Sequence, residues 1–165
     1  MDGSFENDLA MNELRGESMK PGTTRPTYDD VSLILKLYEM RRDEKLRAAR
    51  AWFATSFKAK TIEEWQKLCP PGSDPNASYR MVTSYWEMVA SFITGGVLHP
   101  ELFYESGREL LFCYERVRDM LPGLRDVNKN ANELKNLETV AKGYIAWWNT
   151  QAPGAYEAFS KRVRG

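Results

Sequence analysis

The stretch from residue 75 to residue 96, PNASYRMVTSYWEMVASFITGG, decides the fold of this chain. Its steadily polar residues fall in one narrow stripe, and large apolar side chains occupy most of the remaining circumference of a helix with 3.6 residues per turn. The stretch therefore predicts a helix that ends at Gly95-Gly96. A helix that is apolar on nearly all sides is either central in the fold or covered by another subunit.

Segments on both sides of this stretch have the same period. Upstream, residues 27–57 predict one long helix, because Thr27 and Asp30 form a capping pair and no Gly or Pro interrupts the segment. A short helix follows between Thr61 and the Pro70-Pro71 pair. The apolar stripe expected for the first helix consists of Val31, Leu35, Tyr38, Leu46, Ala49, Phe53 and Phe57, with Arg42 in its middle.

Downstream, a helix is predicted from His99-Pro100 to Pro122-Gly123, with Gly107 in its middle where a neighbouring helix comes close. Another is predicted from near Asn130 to Pro153-Gly154, and a last short one follows. No segment alternates with a period of two residues. The sequence therefore predicts an all-α protein, a helical bundle of four long helices plus two short ones.

The N-terminal 26 residues differ from the rest because they are polar and contain several Gly and Pro residues without a hydrophobic period. This composition predicts a flexible N-terminal arm over residues 1–26, followed by a single helical domain over residues 27–165.

The charges balance, with 23 Lys and Arg residues against 23 Asp and Glu residues. A neutral chain has little long-range attraction for nucleic acid or for an anionic membrane, and little self-repulsion to oppose homo-oligomer formation. The longest uncharged apolar run, residues 88–98, is too short to cross a bilayer, and no secretory signal is visible. We therefore expect a cytoplasmic protein with no membrane partner.

Several short sequences resemble a known family. They are YWEM at residues 85–88, LFY at 102–104, GRELL at 107–111 and YERVR at 114–118. Together with the first helix, they make residues 30–148 similar to a bacterial all-helical family of unknown function. The resemblance implies a bacterial source and an all-α fold, and it carries no catalytic residues with it.

Catalytic and metal-binding patterns are missing from the sequence. His99 is the only histidine, and its place before Pro100 favours helix capping over metal binding or general-base catalysis. Cys113 lies beside a core stripe, where a free cysteine usually acts as a small apolar residue. We therefore expect no metal, no cofactor and no enzymatic activity.

Arg42 is the first candidate for a binding residue, because it interrupts the apolar stripe of the first helix. A buried guanidinium requires a carboxylate, for which Glu87 and Glu115 are the candidates. The alternative is a ligand-binding arginine in a pocket that inner aromatic residues such as Tyr114 would line. We favour the structural ion pair.

These observations support three hypotheses of function. The first is a non-enzymatic protein-interaction or scaffold module, whose partner is either an unknown protein or a second copy of the chain. Its contact surface would be the broad apolar face of the third helix or the edge of the fifth that carries Trp147. The second is a small-molecule-binding bundle with a pocket around Arg42. The third and least favoured is nucleic-acid binding through the basic residues 41–60.

Overall fold

The computed structural model describes residues 25–165, which are mainly helical and contain no strand. The all-α prediction is therefore confirmed for this part of the chain. Residues 1–24, which make up most of the predicted arm, lie outside the described residues. In chain order the α-helices are α1 (Tyr28–Met40), α2 (Glu44–Ser56), α3 (Ile62–Leu68), α4 (Asp74–Thr94), α5 (Pro100–Tyr104), α6 (Arg108–Val117), α7 (Leu121–Val127), α8 (Lys135–Gln151) and α9 (Ala155–Arg164), and a 3-10 helix (Arg118–Met120) joins α6 to α7.

Helix α4 is the centre of the bundle, which is the first of the two alternatives that its composition allowed. It begins where the Ser73 hydroxyl accepts the Asn76 N–H at 3.2 Å, and it ends at Gly95. Helices α2 and α8 make the most extensive contacts with it. Val89 is fully buried and Trp86 is 2% exposed. The chain's own helices therefore cover most of the apolar surface of α4, one of the two surfaces proposed above for self-association, although Met81 is 36% exposed.

The prediction of one long helix over residues 27–57 is wrong, because the chain forms two helices there. Helix α1 ends at Met40, and α2 begins at Glu44 because the Asp43 carboxylate accepts the N–H groups of Lys45 and Leu46 at 3.0 and 3.1 Å. The intervening turn changes the direction of the chain. As a result, the predicted stripe is buried in α2 but largely exposed in α1.

The predicted fourth helix is also divided, into α5, α6, the 3-10 helix and α7. Gly107 is the N-cap residue of α6 and does not lie in mid-helix. A Cβ atom at Gly107 would come within 2.4 Å of the Phe103 ring, so the close approach is real but comes from the preceding helix. Pro122 lies in the first turn of α7 and does not end a helix. Prolines are tolerated there because the first-turn N–H groups have no intrahelical acceptor.

The C-terminal third follows the prediction more closely. Helix α8 begins at Lys135, five residues later than Asn130, after a left-handed residue, Leu134. The last short helix is present as α9.

Buried apolar side chains from the helices form one continuous core cluster. No helix between residues 25 and 165 is both long enough and apolar enough to cross a membrane.

Candidate functional site

Arg42 lies in the turn between α1 and α2, and its side chain is exposed. Among residues 25–165 it forms no ion pair with either predicted partner, Glu87 or Glu115. The predicted buried ion pair is therefore wrong. The physical reason is the helix break: once Asp43 caps α2, residue 42 no longer continues the apolar face of either helix.

The other predicted site residues have structural contacts of their own. The Glu87 carboxylate accepts the backbone N–H groups of Asn136 and Leu137 at 3.1 and 2.8 Å, and so caps α8 from a neighbouring helix. Glu115 is 3% exposed and accepts bonds from Tyr156, Ser160 and Arg118.

Tyr114 is 7% exposed, and burial raises the pKa of its hydroxyl. It therefore belongs to the core beside the buried carboxylate. The four predicted residues, Arg42, Glu87, Tyr114 and Glu115, do not share one site.

Arg41, the residue before Arg42, belongs to an ion cluster with Arg50 and Glu109. This cluster joins the end of α1 to α2 and α6. Glu109, at the start of α6, accepts two bonds from Arg50 of α2, at 2.5 and 2.6 Å, and one from Arg41 at 2.9 Å. Arg50 also donates to the Arg41 carbonyl at 3.1 Å. Hydrogen bonding to Glu109 raises the pKa of Arg50 above its ordinary value. Two guanidinium groups therefore share one carboxylate, and the cluster keeps a net positive charge.

Two aromatic rings lie beside this cluster, Tyr38 of α1 and Trp86 of α4. The Arg41 guanidinium carbon lies 5.5 Å from the centroid of the Trp86 ring, which is within cation–π range. The buried Trp86 Nε1–H has no acceptor among the described residues. A buried donor without an acceptor costs free energy, and the Trp65 Nε1–H and the Arg116 Nε–H also have no acceptor among the described residues.

Two cavities have Trp86 in their walls. The larger, of about 400 Å³, lies between α2, α4 and α6 and is called the α2–α4–α6 cleft below. The smaller, of about 310 Å³, lies between α1, α4 and the α5–α6 junction and is almost entirely apolar. The walls of the cleft are formed by Arg47, Arg50, Ala51, Phe53, Ala54, Val82, Trp86, Glu109, Phe112 and Cys113. Arg41, rather than Arg42, contributes to the smaller cavity.

Chemistry in the cleft is limited by the state of its thiol. Cys113 is 1% exposed, and burial raises its pKa far above the usual range. A neutral buried thiol is a poor nucleophile. No cluster of three or more His, Cys, Asp or Glu residues able to hold a metal occurs between residues 25 and 165. His99 caps α5, as predicted, by accepting the Leu102 N–H at 3.3 Å.

Helix α1 has an exposed apolar stripe. Tyr28, Val31, Leu35 and Tyr38 are 83%, 41%, 63% and 55% exposed, and their spacing of three, four and three residues places them on one face. We call these four residues the α1 stripe. Leu35 and Tyr38 also line the smaller cavity. The stripe and the cavity therefore form one apolar surface.

The basic residues of the 41–60 stretch are spread over different surroundings. Arg41 and Arg50 contact Glu109, whereas Lys58 and Lys60 lie beyond the end of α2, beside a third cavity that Glu115 and Asp119 also line. The stretch does not present one continuous row of cations, so nucleic acid stays the least favoured partner.

Sequence reasoning missed Arg41, Arg50, Glu109 and Trp86 as a group. Glu109 is separated by 59 residues from Arg50 and by 68 from Arg41, so no local spacing connects them. The Asp43 cap was the one available signal, because an Asp before a helical segment is a common N-cap. This cap would have predicted a turn between two helices at Arg42 instead of a position inside one helix.

Comparison with known proteins gives one family. Residues 26–147, from the start of α1 to near the end of α8, match the family model described as Domain of unknown function (DUF4760). The curated proteins and the solved structures give no match. The family match covers most of the chain and confirms the resemblance to a helical family of unknown function. The chain therefore belongs to the DUF4760 domain family.

Proposed function

We propose that this protein is a non-enzymatic interaction module, that the α1 stripe is its contact surface, and that a second copy of the chain is its partner. The observation that carries the proposal is the exposure of four large apolar side chains on one face of α1. Contiguous exposed apolar surface on a folded domain commonly marks an interaction site, whereas scattered apolar residues do not.

The stripe suits an antiparallel pairing of α1 with α1 of a second copy. A two-fold axis at Leu35 brings the Leu35 side chains of the two copies together, and each Tyr38 packs near Val31 of the other.

The charge and size of the surface define the kind of dimer. The formal net charge is zero, so the two copies repel each other little. Helix α1 has 13 residues, a length of about 20 Å. One helix of this length buries less than the roughly 800 Å² per partner of a typical stable complex. We therefore propose a weak dimer that forms with increasing concentration.

Sedimentation velocity over a concentration series tests this proposal. The wild-type chain should shift from monomer to dimer, and Leu35→Glu should stay monomeric because it places a charge at the centre of the contact. Val97→Glu is the matched control, since Val97 is 66% exposed but follows the end of α4. It should dimerise like the wild type. A wild-type chain that is monomeric at all concentrations, or a Leu35→Glu variant that dimerises normally, would contradict the proposal.

A further inference from the structure

The walls of the α2–α4–α6 cleft contain no residue of the α1 stripe. We propose that the α2–α4–α6 cleft binds a small organic acid, with one carboxylate group and an aromatic or branched aliphatic body. The proposal is independent of dimer formation, because it depends on the volume, the wall residues and the charge of the cleft itself.

The volume and walls of the cleft suit the body of such a ligand. A cavity of about 400 Å³ is in the range of small-molecule pockets. Its walls include Phe53, Val82 and Phe112, and the first two are each 2% exposed. An inorganic anion would leave these apolar walls without contacts. The ligand therefore needs an apolar part as well as a charge.

The charge of the cleft suits a carboxylate. Its walls contain two guanidinium groups, from Arg47 and Arg50, and one carboxylate, from Glu109, to which Arg41 also donates. Arg47 is exposed and forms no ion pair with any residue between 25 and 165. Guanidinium groups bind carboxylates through two parallel N–H donors. An anionic group at the mouth of the cleft would therefore bind to Arg47, whose guanidinium is not engaged by Glu109 as that of Arg50 is.

The floor of the cleft does not oppose an anion. Cys113 keeps its proton because burial raises its thiol pKa, so it adds no negative charge. The Trp86 side chain contributes to the same wall and adds no charge.

Binding of matched acid and amide probes to the full chain tests the proposal. The probes are phenylacetate, 3-phenylpropionate and isovalerate, each with its neutral amide, together with acetate as a probe that lacks the apolar body. Titrations at millimolar concentrations are followed by ¹H–¹⁵N NMR. We expect at least one of the three acids to bind about tenfold or more tightly than its amide, because only the acid pairs with a guanidinium. Acetate should produce no saturable shifts.

Two arginine variants locate the site. Arg47→Gln should weaken acid binding about fivefold to tenfold and leave amide binding unchanged, because it removes the unpaired guanidinium. Arg42→Gln is the matched control: it also removes an exposed arginine, but one outside the walls of the cleft. Both side chains are exposed, so both variants should fold, and thermal unfolding checks this.

Three outcomes would overturn the proposal. The first is that none of the three acids binds more tightly than its amide. The second is that Arg42→Gln weakens binding as much as Arg47→Gln. The third is that the acid-induced shifts occur outside α2, α4 and α6. Because none of these readouts measures self-association, failure of the ligand site and failure of the α1 dimer are separate results.

Discussion

Helices α4 and α1 have similar apolar content but opposite surroundings. Most large side chains of α4 are buried under α2 and α8, whereas the α1 stripe is exposed and only Asp30 and Leu37 of that helix are buried. The sequence period is equally clear in both. Periodicity therefore identifies an apolar face but does not say whether the same chain covers it.

The largest expected effect compares two valines, one in each helix. Val89→Ala should lower the free energy of unfolding by about 2–3 kcal/mol, because Val89 is fully buried and its loss leaves a cavity. Val31→Ala should change it by less than about 0.5 kcal/mol, because Val31 is 41% exposed. Urea denaturation measures both. Equal losses would mean that α1 is covered as completely as α4.

A smaller effect compares two glutamates on the same helices. Glu87→Ala should cost about 1–2 kcal/mol, because its carboxylate caps α8 through two backbone N–H groups. Glu39→Ala should cost less than about 0.5 kcal/mol, because Glu39 forms only an exposed pair with Lys36. Chemical denaturation again separates them. A negligible loss for Glu87→Ala would show that the cap contributes little to stability.

The smallest effect concerns the attachment of α1. The Asp30 carboxylate accepts the backbone N–H groups of Thr27 and His99, both at 2.7 Å, and these bonds hold its pKa below the ordinary 3.8. A lowered pKa in the folded state adds stability above pH 3.8, and this stability is lost as the pH falls through the folded value. The melting temperature of Asp30→Asn should therefore be a few degrees lower than that of the wild type near neutral pH.

The difference in melting temperature between wild type and Asp30→Asn should shrink as the pH falls below 3.8, because the wild-type carboxyl becomes protonated. Thermal unfolding followed by circular dichroism over a pH series measures this difference. A difference that stays constant from neutral to acidic pH would show that the Asp30 charge does not help to hold α1.

Local rules predicted the parts of the structure that depend on nearby residues. The capping pair of Thr27 and Asp30, the cap by His99 and the stop at Gly95 are all present, because each depends on atoms within a few residues. The predicted extent of the first helix was wrong because the uninterrupted apolar period was given more weight than Asp43, which is an N-cap residue. The predicted burial of Arg42 was wrong because it depended on that helix continuing through residue 42.

The sequence by itself determined that this chain is helical, that α4 is apolar on nearly all sides, and where α1, α3, α4 and α5 begin, because backbone capping and side-chain period act over a few residues. Only the tertiary structure decided which apolar face stays uncovered and which charges meet. The contacts of Glu109 with Arg41 and Arg50, and of Glu87 with the start of α8, join residues that are far apart in the chain. Such pairs depend on how the helices pack. The hydrophobic period of a helix does not specify which other helix packs against its apolar face.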